Sequence, residues 1–323
     1  MKGYSHIVIG GGHNGLVAAT VLASKGRKVL LLEQRDQLGG LAAAESFHEG
    51  YRTAGILNNT SLFRPEVADA LGLGSHGLQF ESHPSSVFVP STENSGFMLH
   101  GNHSEAAAEI AKISADDGKN YTEFMGFINR IRAVMSSLLV GLPSTVELES
   151  GDLWGMIKKG ISMRRLGTKD MMEIMRINLM CTADYLNEWF ENEHLKSALA
   201  MPYHLGTNTG PWSPGTNLNL VLGLCNTGRK VKGGAPAIVE ALTAAAKAAG
   251  VTIQTGARVA NIIVEEGCVS GVRLSDGQVH KARTVMSACH PKHTILDLLG
   301  KRCESRPGTR HRTLPLFWHH RCD

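Results

Sequence analysis

Three glycines and one acidic residue near the start of the chain have the types and the spacing that dinucleotide binding requires. Gly10, Gly12 and Gly15 stand in the pattern G-x-G-x-x-G, and Glu33 follows 18 residues after the last of them. Such glycines permit a tight turn, a close approach of backbone to a pyrophosphate, and close packing of a helix on a strand. An acid at this distance can accept hydrogen bonds from ribose hydroxyls. The four residues together predict a dinucleotide site.

The elements predicted around these residues have the order that such a site needs. A strand at 4–9 leads directly into the glycines, a helix follows at 16–24, and a second strand at 28–32 ends on Glu33. The amino end of the helix would offer N–H groups and a positive dipole end to phosphates. A plain glycine-rich turn is the alternative in a chain with 36 glycines. The order strand, glycines, helix, strand and acid favours the binding site.

A second pair of glycines indicates which dinucleotide is bound. Gly39 and Gly40 follow the acid at a point where an NAD-dependent domain would pass straight into its next helix. The pair resembles the second phosphate-contacting segment of flavoproteins with two dinucleotide-binding domains, where backbone approaches a ligand as long as FAD. A simple loop is the alternative. The candidate cofactor-binding residues in this part of the chain are Gly10, Gly12, His13, Asn14, Gly15, Glu33, Gln34, Arg35, Gly39, Gly40 and Leu41.

Several longer stretches make the resemblance specific. They are GGGHNGLVAA at 10–19, FHEGY at 47–51, SLFRPE at 61–66, LNEWFE at 186–191, GPWSPGT at 210–216 and the block from 233 to 287. In these stretches the chain resembles the phytoene-desaturase-like FAD oxidoreductases, within the subgroup that contains pyridine nucleotide-disulphide oxidoreductase domain-containing protein 2. The likeness extends from residue 4 to about residue 299, and the first and last blocks carry most of its weight.

The resemblance implies a fold, a cofactor and an activity. The fold would be α/β, a Rossmann-like FAD domain of the two-dinucleotide-binding-domain type with a largely helical α+β substrate-domain insert. The domains would be 1–81 and 226–300 for FAD, 82–225 for the substrate, and an aberrant tail at 301–323. Val259 would place backbone beside the adenine, and Ala288 would help to close that pocket. The activity would be transfer of hydride from an apolar, polyene or lipid-like substrate to the flavin.

Periodicity in the rest of the chain agrees with this organisation. Apolar residues recur at helical spacing in 103–114, 121–140, 151–163, 169–181, 183–191 and 194–201, and short strands are predicted at 78–81, 87–90 and 97–100. After Gly233-Gly234 comes a helix that ends at Gly250. Strands are then predicted at 252–255, 258–264, 269–274 and 284–287. The returning segment therefore rebuilds an α/β layer.

Composition excludes some other classes of protein. The net charge of +4 comes from the tail, because six Lys or Arg and two acids lie in 301–323 and the body keeps 27 of each sign. Nucleic-acid binding therefore has little support.

No C-x-x-C pair is present, and isolated histidine pairs predict no metal site. No apolar run reaches membrane-spanning length, which leaves peripheral membrane contact open. The first strand starts almost at once, so we expect no signal or transit peptide and a cytoplasmic protein.

No constellation of catalytic side chains stands out. We find no paired carboxylates, no Ser/His/Asp set and no H-E-x-x-H pattern, so the catalytic residues are unknown. A flavin accepts the hydride itself, and the protein orients the reactants and excludes water from the site. The one further G-x-G-x-x-G, from Gly72 to Gly77, follows a predicted short helix and not a strand, so it does not indicate an NAD(P)H domain and the electron acceptor is unknown. The alternatives are a non-catalytic flavin-binding or interaction protein and, less favoured, an NAD-dependent dehydrogenase.

The last residues differ in character from the family. Members of the family continue beyond the returning block, whereas 301–323 switches to Arg, His, Pro and Cys without helical or strand periodicity. We expect a C-terminally truncated member whose tail is unrelated or out of frame and poorly ordered. On that expectation, FAD affinity and turnover would be impaired.

Overall fold

A computed structural model describes residues 3–53, 56–57, 59–82, 86–91, 96–139, 164, 166–226 and 228–300. The chain forms two compact units. The first comprises Met1–Glu81 and the chain from Lys230 onward, and the second comprises Ser82–Arg229. The two segments of the first unit meet where the Glu81 N–H donates to the Lys230 carbonyl at 2.8 Å and the Lys232 N–H to the Gln79 carbonyl at 2.8 Å.

A six-stranded sheet forms the centre of the first unit. In spatial order its strands are β7 (Thr252–Gln254), β2 (Val29–Leu32), β1 (Tyr4–Ile9), β10 (Val279–Ser287), β9 (Cys268–Leu274) and β8 (Val259–Glu265). Strands β7, β2, β1 and β10 are parallel, whereas β9 is antiparallel to both β10 and β8. The strand order reverses at β1, and ligands of open α/β sheets bind outside the carboxyl ends of strands at such a point.

Both faces of the parallel strands are covered. Side chains on successive residues of a strand point to opposite faces. Leu31 packs in one cluster with Leu16 and Leu242, whereas Leu32 packs in another with Val272. All four residues of β2 are buried for this reason, as their continuous apolar run predicts.

The remaining elements of the first unit flank the sheet. They are α1 (His13–Ser24), α2 (Pro65–Ala70), α9 (Gly234–Ala248), the hairpin β3 (Glu45–His48) and β4 (Tyr51–Thr53), short 3₁₀ turns at Gly40–Ala42 and Leu73–His76, and a π-helical segment at His293–Leu299. The predicted strands and helices of this unit are confirmed except at 78–81. There the structure has only one antiparallel bridge, between Phe80 and Val231. Strand β10 begins earlier than predicted because Val279–Lys281 pair with β9 across a hairpin turn.

The second unit is mainly helical. Its elements are β5 (Val87–Val89), β6 (Phe97–Leu99), α3 (His103–Ala111), α4 (Ala115–Leu139), α5 (Gly167–Ile177), α6 (Thr182–Asn187), α7 (Glu193–His204) and α8 (Asn217–Cys225). Its core is aromatic, and the ring of Phe124 lies 5.4 Å from the rings of both Trp189 and Phe190. Helix α8 has no counterpart in the sequence prediction. The helix predicted at 151–163 lies outside the described residues.

A buried carboxylate holds the turn between α6 and α7. Asp117, in the first turn of α4, is fully buried. Its Oδ1 accepts a hydrogen bond from the Glu191 N–H and its Oδ2 accepts one from the Asn192 N–H, both at 2.9 Å. The Asn192 side chain in turn caps α7 by accepting from the Leu195 N–H at 2.9 Å. Asp117 therefore fixes the start of α7.

We expect Asp117→Ala to lower the free energy of unfolding by about 3 kcal/mol, because two partly buried N–H groups lose their acceptor, which is a fully buried carboxylate. Urea denaturation followed by circular dichroism measures the change. Asp116→Ala is the matched control, since Asp116 is exposed in the same helical turn. That control should shift stability by no more than roughly 0.5 kcal/mol. Equal effects of the two substitutions would contradict the assigned role of Asp117.

Candidate dinucleotide site

The first glycine loop lies at the carboxyl end of β1. Gly10 follows Ile9 with φ +99°, a conformation that side chains rarely adopt, and its N–H donates to the Leu32 carbonyl at 2.8 Å. Gly12 is the N-cap of α1. A Cβ on Gly15 would lie 1.9 Å from the Gly10 carbonyl oxygen. Glycine at that position is what lets α1 begin so close to the strand.

The amino end of α1 is open to an anion. The first helical hydrogen bond runs from the Leu16 N–H to the Gly12 carbonyl at 2.9 Å, so the N–H groups before Leu16 have no partner within the helix. Within the described part of the chain, no side chain caps this helix and its first turn carries no acid. The nearest atom to a Cβ built on Gly12 would be the Gly40 Cα, at 4.0 Å. The loop therefore has room and donors for a pyrophosphate.

The second glycine loop lies against the first. The Gly39 N–H donates to the Gly11 carbonyl at 2.9 Å, and Gly12 and Gly39 form a parallel bridge. Gly39 has φ +114°, and a Cβ there would lie 2.9 Å from the Val239 side chain of α9. The two glycine segments are thus adjacent backbone strips, and Leu41 beyond them is 61% exposed. One ligand can contact both segments.

Glu33 is held in place by the first loop. The side chain is 7% exposed. Its Oε2 accepts from the Gly11 N–H at 2.6 Å, and its Oε1 accepts from the Arg35 N–H at 2.9 Å. A carboxylate has about four lone-pair positions, so acceptor capacity is left for hydroxyl donors. The Gln34 and Arg35 side chains are exposed, and the Arg35 guanidinium pairs with Glu45 at 3.2 Å.

Two residues from the returning segment reach different parts of the site. The Ala257 N–H donates to the Glu33 carbonyl at 2.8 Å, which brings the segment before Val259 beside the acid. The Val259 side chain itself is buried in the cluster on one face of the sheet. Ala288 lies elsewhere, beside the first glycine loop, where its Cβ would be 3.3 Å from a Cβ on Gly15.

Sequence reasoning missed a thiol at this loop. The Cys289 Sγ would lie 3.3 Å from a Cβ on Gly10, and its S–H points to the Ile9 carbonyl at 3.7 Å. Burial raises the pKa of this thiol above its usual value, so the neutral form predominates near pH 7. Its position directly after Ala288 was the available indication.

His13 and Asn14 occupy the first two positions of α1. Asn14 is exposed and His13 is half-buried. Burial lowers the pKa of His13 below its usual value of 6.5, so the folded chain favours the neutral imidazole. An uncharged ring at a helix amino end avoids repulsion from the helix dipole.

This shift predicts a pH dependence of stability. Between pH 6.5 and the lower pKa of folded His13, the unfolded chain binds more protons than the folded chain, so stability falls as pH falls through this window. We expect His13→Asn to lose less stability than the parent chain when the pH is lowered from 7.5 to 5. Melting curves at several pH values measure this. Asn14→Ala, an exposed neighbour that does not titrate, should retain the parental dependence, and an unchanged slope in His13→Asn would refute the assignment.

Other kinds of site are not seen in the described part of the chain. No three His, Cys, Asp or Glu side chains there are grouped so that they could hold a metal ion. None of the described helices has the length and apolar character that crossing a membrane requires.

Comparisons with known proteins agree with this geometry. The model of the NAD(P)-binding Rossmann-like domain matches residues 8–61, and that of the flavin containing amine oxidoreductase matches residues 172–298. The chain is 30% identical to pyridine nucleotide-disulfide oxidoreductase domain-containing protein 2 of Rattus norvegicus, over 91% of the chain and 55% of the relative. It is 26% identical to phytoene desaturase (lycopene-forming) of Pseudescherichia vulneris, over 91% of the chain and 57% of the relative.

Solved structures show the same fold. An oxidoreductase from Methanosarcina mazei superposes with a TM-score of 0.59 at 18% identity, covering 91% of the chain and 61% of that structure. The fold and the two glycine loops define a Rossmann-like flavoprotein, as the sequence predicts. Homologues of the chain include phytoene-desaturase-like and other flavin-containing oxidoreductases. It spans about half the length of the curated relatives it matches.

Proposed function

We propose that this chain binds FAD and acts in an oxidoreductase that removes hydride from an apolar substrate. The observation that carries the proposal is the pairing of the Gly39-Gly40 loop with the first glycine loop beside a buried Glu33. Two adjacent glycine loops can contact a long dinucleotide such as FAD, which has a pyrophosphate in the middle and a flavin at one end. An NAD-binding domain does not require the second glycine loop.

Each part of the site has a role toward the cofactor. The amino end of α1 and Gly12 would hold the pyrophosphate, Glu33 would accept from the ribose hydroxyls, and the chain around Val259 would lie beside the adenine. When bound, FAD supplies the hydride acceptor. The protein's own contribution would be binding, orientation and exclusion of water.

The proposal of an apolar substrate is supported by the matched relatives and by the lack of an acid/base set in the sequence. Phytoene desaturase (lycopene-forming), one of the matched relatives, acts on phytoene, as its name states. No acid/base pair is required when the flavin takes the hydride, which fits the lack of such a set in the sequence. The electron acceptor and the catalytic residues stay unassigned.

The absorption spectrum of the purified chain tests this proposal. After incubation with FAD and gel filtration, we expect yellow protein and release of FAD on acid treatment. Retained NAD without flavin would instead indicate an NAD-dependent dehydrogenase. Colourless protein that retains neither would refute cofactor binding.

A second measurement separates an enzyme from a flavin-binding protein. Anaerobic mixing of FAD-loaded protein with a polyene or lipid should bleach the flavin absorption. The matched control is a saturated hydrocarbon of similar length. A bound flavin that no substrate of this class reduces would favour the non-catalytic alternative.

A further inference from the structure

A second concave surface lies at the other end of the sheet. A cavity of about 730 Å³ is lined by the amino end of β1, the turn between α1 and β2, and parts of β9 and β10. Tyr4 begins β1 and Ile9 ends it. Five steps of about 3.3 Å place this cavity about 17 Å from the first glycine loop. The cavity is therefore distinct from the dinucleotide site, and its volume lies in the range of small-molecule pockets.

The lining of this cavity has charge of one sign only. Among the described residues that line it, four are cationic and none is acidic; the cations are Arg27, Lys28, Lys281 and Arg283. The Lys28 ammonium lies 5.0 Å from the centre of the Tyr4 ring, in cation–π geometry. Within the described part of the chain, Arg27, Lys281 and Arg283 take part in no ion pair. Outside the tail, acidic and basic residues balance, so this concentration of positive charge is local.

Favourable interaction with the dipole of α1 accounts for only two of the four cationic residues. Arg27 and Lys28 follow the carboxyl end of α1, where cations complement the negative dipole end. Lys281 and Arg283 belong to a strand and gain nothing from that dipole. They flank Ala282, which pairs with Tyr4 in the sheet, so both side chains point to one face. Two separate chain segments, the turn before β2 and strand β10, therefore bring cations to one concave surface.

We propose that this cavity binds a phosphorylated ligand that carries at least two negative charges. The forked N–H groups of Arg27 and Arg283 match phosphate oxygens in bidentate geometry, and the two lysines supply further positive charge. Ser270 adds a hydroxyl donor to the lining. The phosphate could belong to a free small molecule or to a lipid headgroup, since both present the same chemistry.

Calorimetric titration with inorganic pyrophosphate tests the site, with one equivalent of FAD present to occupy the dinucleotide site. We expect Lys281→Gln with Arg283→Gln to weaken pyrophosphate binding by at least about tenfold, since each charge-assisted hydrogen bond contributes about that much. Arg273→Gln with Lys292→Gln is the matched control. Arg273 and Lys292 are exposed in the same unit and do not line the cavity. Their replacement by glutamine removes the same amount of positive charge. The control pair should change the affinity less than about twofold.

Pelleting with vesicles distinguishes the source of the phosphate. Binding to phosphatidylcholine vesicles that contain phosphatidylinositol 4-phosphate, but not to free pyrophosphate, that is lost in Lys281→Gln/Arg283→Gln assigns the site to lipid headgroups. Binding to free pyrophosphate with the same loss assigns it to a small molecule. The proposal is overturned if neither probe binds, or if the cavity variant and the control variant weaken binding equally. Melting curves of both variants verify that they are folded, and FAD retention is scored separately.

Discussion

Gly12→Ala is expected to weaken FAD binding by roughly a hundredfold, a loss of about 3 kcal/mol, while the melting temperature stays within a few degrees of the parent. Apart from its neighbours in the chain, the nearest atom of the described residues to the added methyl group is the Gly40 Cα at 4.0 Å. The φ of −67° at Gly12 is also accessible to alanine. The methyl would instead occupy the space through which a pyrophosphate approaches the backbone.

Gly15→Ala should give the opposite result. A Cβ there would lie 1.9 Å from the Gly10 carbonyl oxygen, and backbone cannot yield as a side chain can. We expect a loss of at least about 3 kcal/mol of stability, because α1 must move away from the sheet. FAD titration and thermal melts on both variants measure the two quantities. If Gly12→Ala binds FAD as the parent does, or Gly15→Ala melts normally, the glycine roles assigned here are wrong.

The Rossmann-like fold was predictable because its signals are local. The turn, the helix start and the two strands of the first 33 residues each depend on neighbours within a few positions. The adjacency of the two glycine loops was expected only through family resemblance. In the structure it depends on a backbone hydrogen bond from Gly39 to Gly11, which neither propensity nor periodicity encodes.

The parts that escaped prediction depend on long-range pairing. Strand β10 extends to Val279 because β9 is there to pair with it. Helix α8 is apolar on most sides and buried in the second unit, so it lacks the two-faced pattern that identifies a helix in sequence. The basic cavity joins Arg27 to Arg283, residues that only the sheet register brings together. Charges that lie far apart in the chain cannot be recognised as one patch before the fold is known.

Glu33 connects the binding site to the stability of the fold. Its carboxylate is the acceptor for two backbone N–H groups, that of Gly11 in the first glycine loop and that of Arg35 after β2. The same side chain is the candidate partner of the ribose. An acid that shapes the loop before any ligand arrives reduces the ordering cost of binding. Its removal should therefore affect stability and FAD affinity together.

We expect Glu33→Ala to lower the free energy of unfolding by about 2–4 kcal/mol, because two N–H groups lose a charged acceptor in a site that is 7% exposed. Glu33→Gln keeps the shape and one oxygen, so its cost should be about half of that. Both variants should weaken FAD binding by at least about tenfold, since the ribose hydroxyls lose a charged acceptor. Glu45→Gln, an exposed acid that pairs with Arg35, is the control and should leave both quantities nearly unchanged. Urea denaturation and FAD titration measure them, and a Glu33→Gln variant with parental FAD affinity would show that this carboxylate does not contact the ribose.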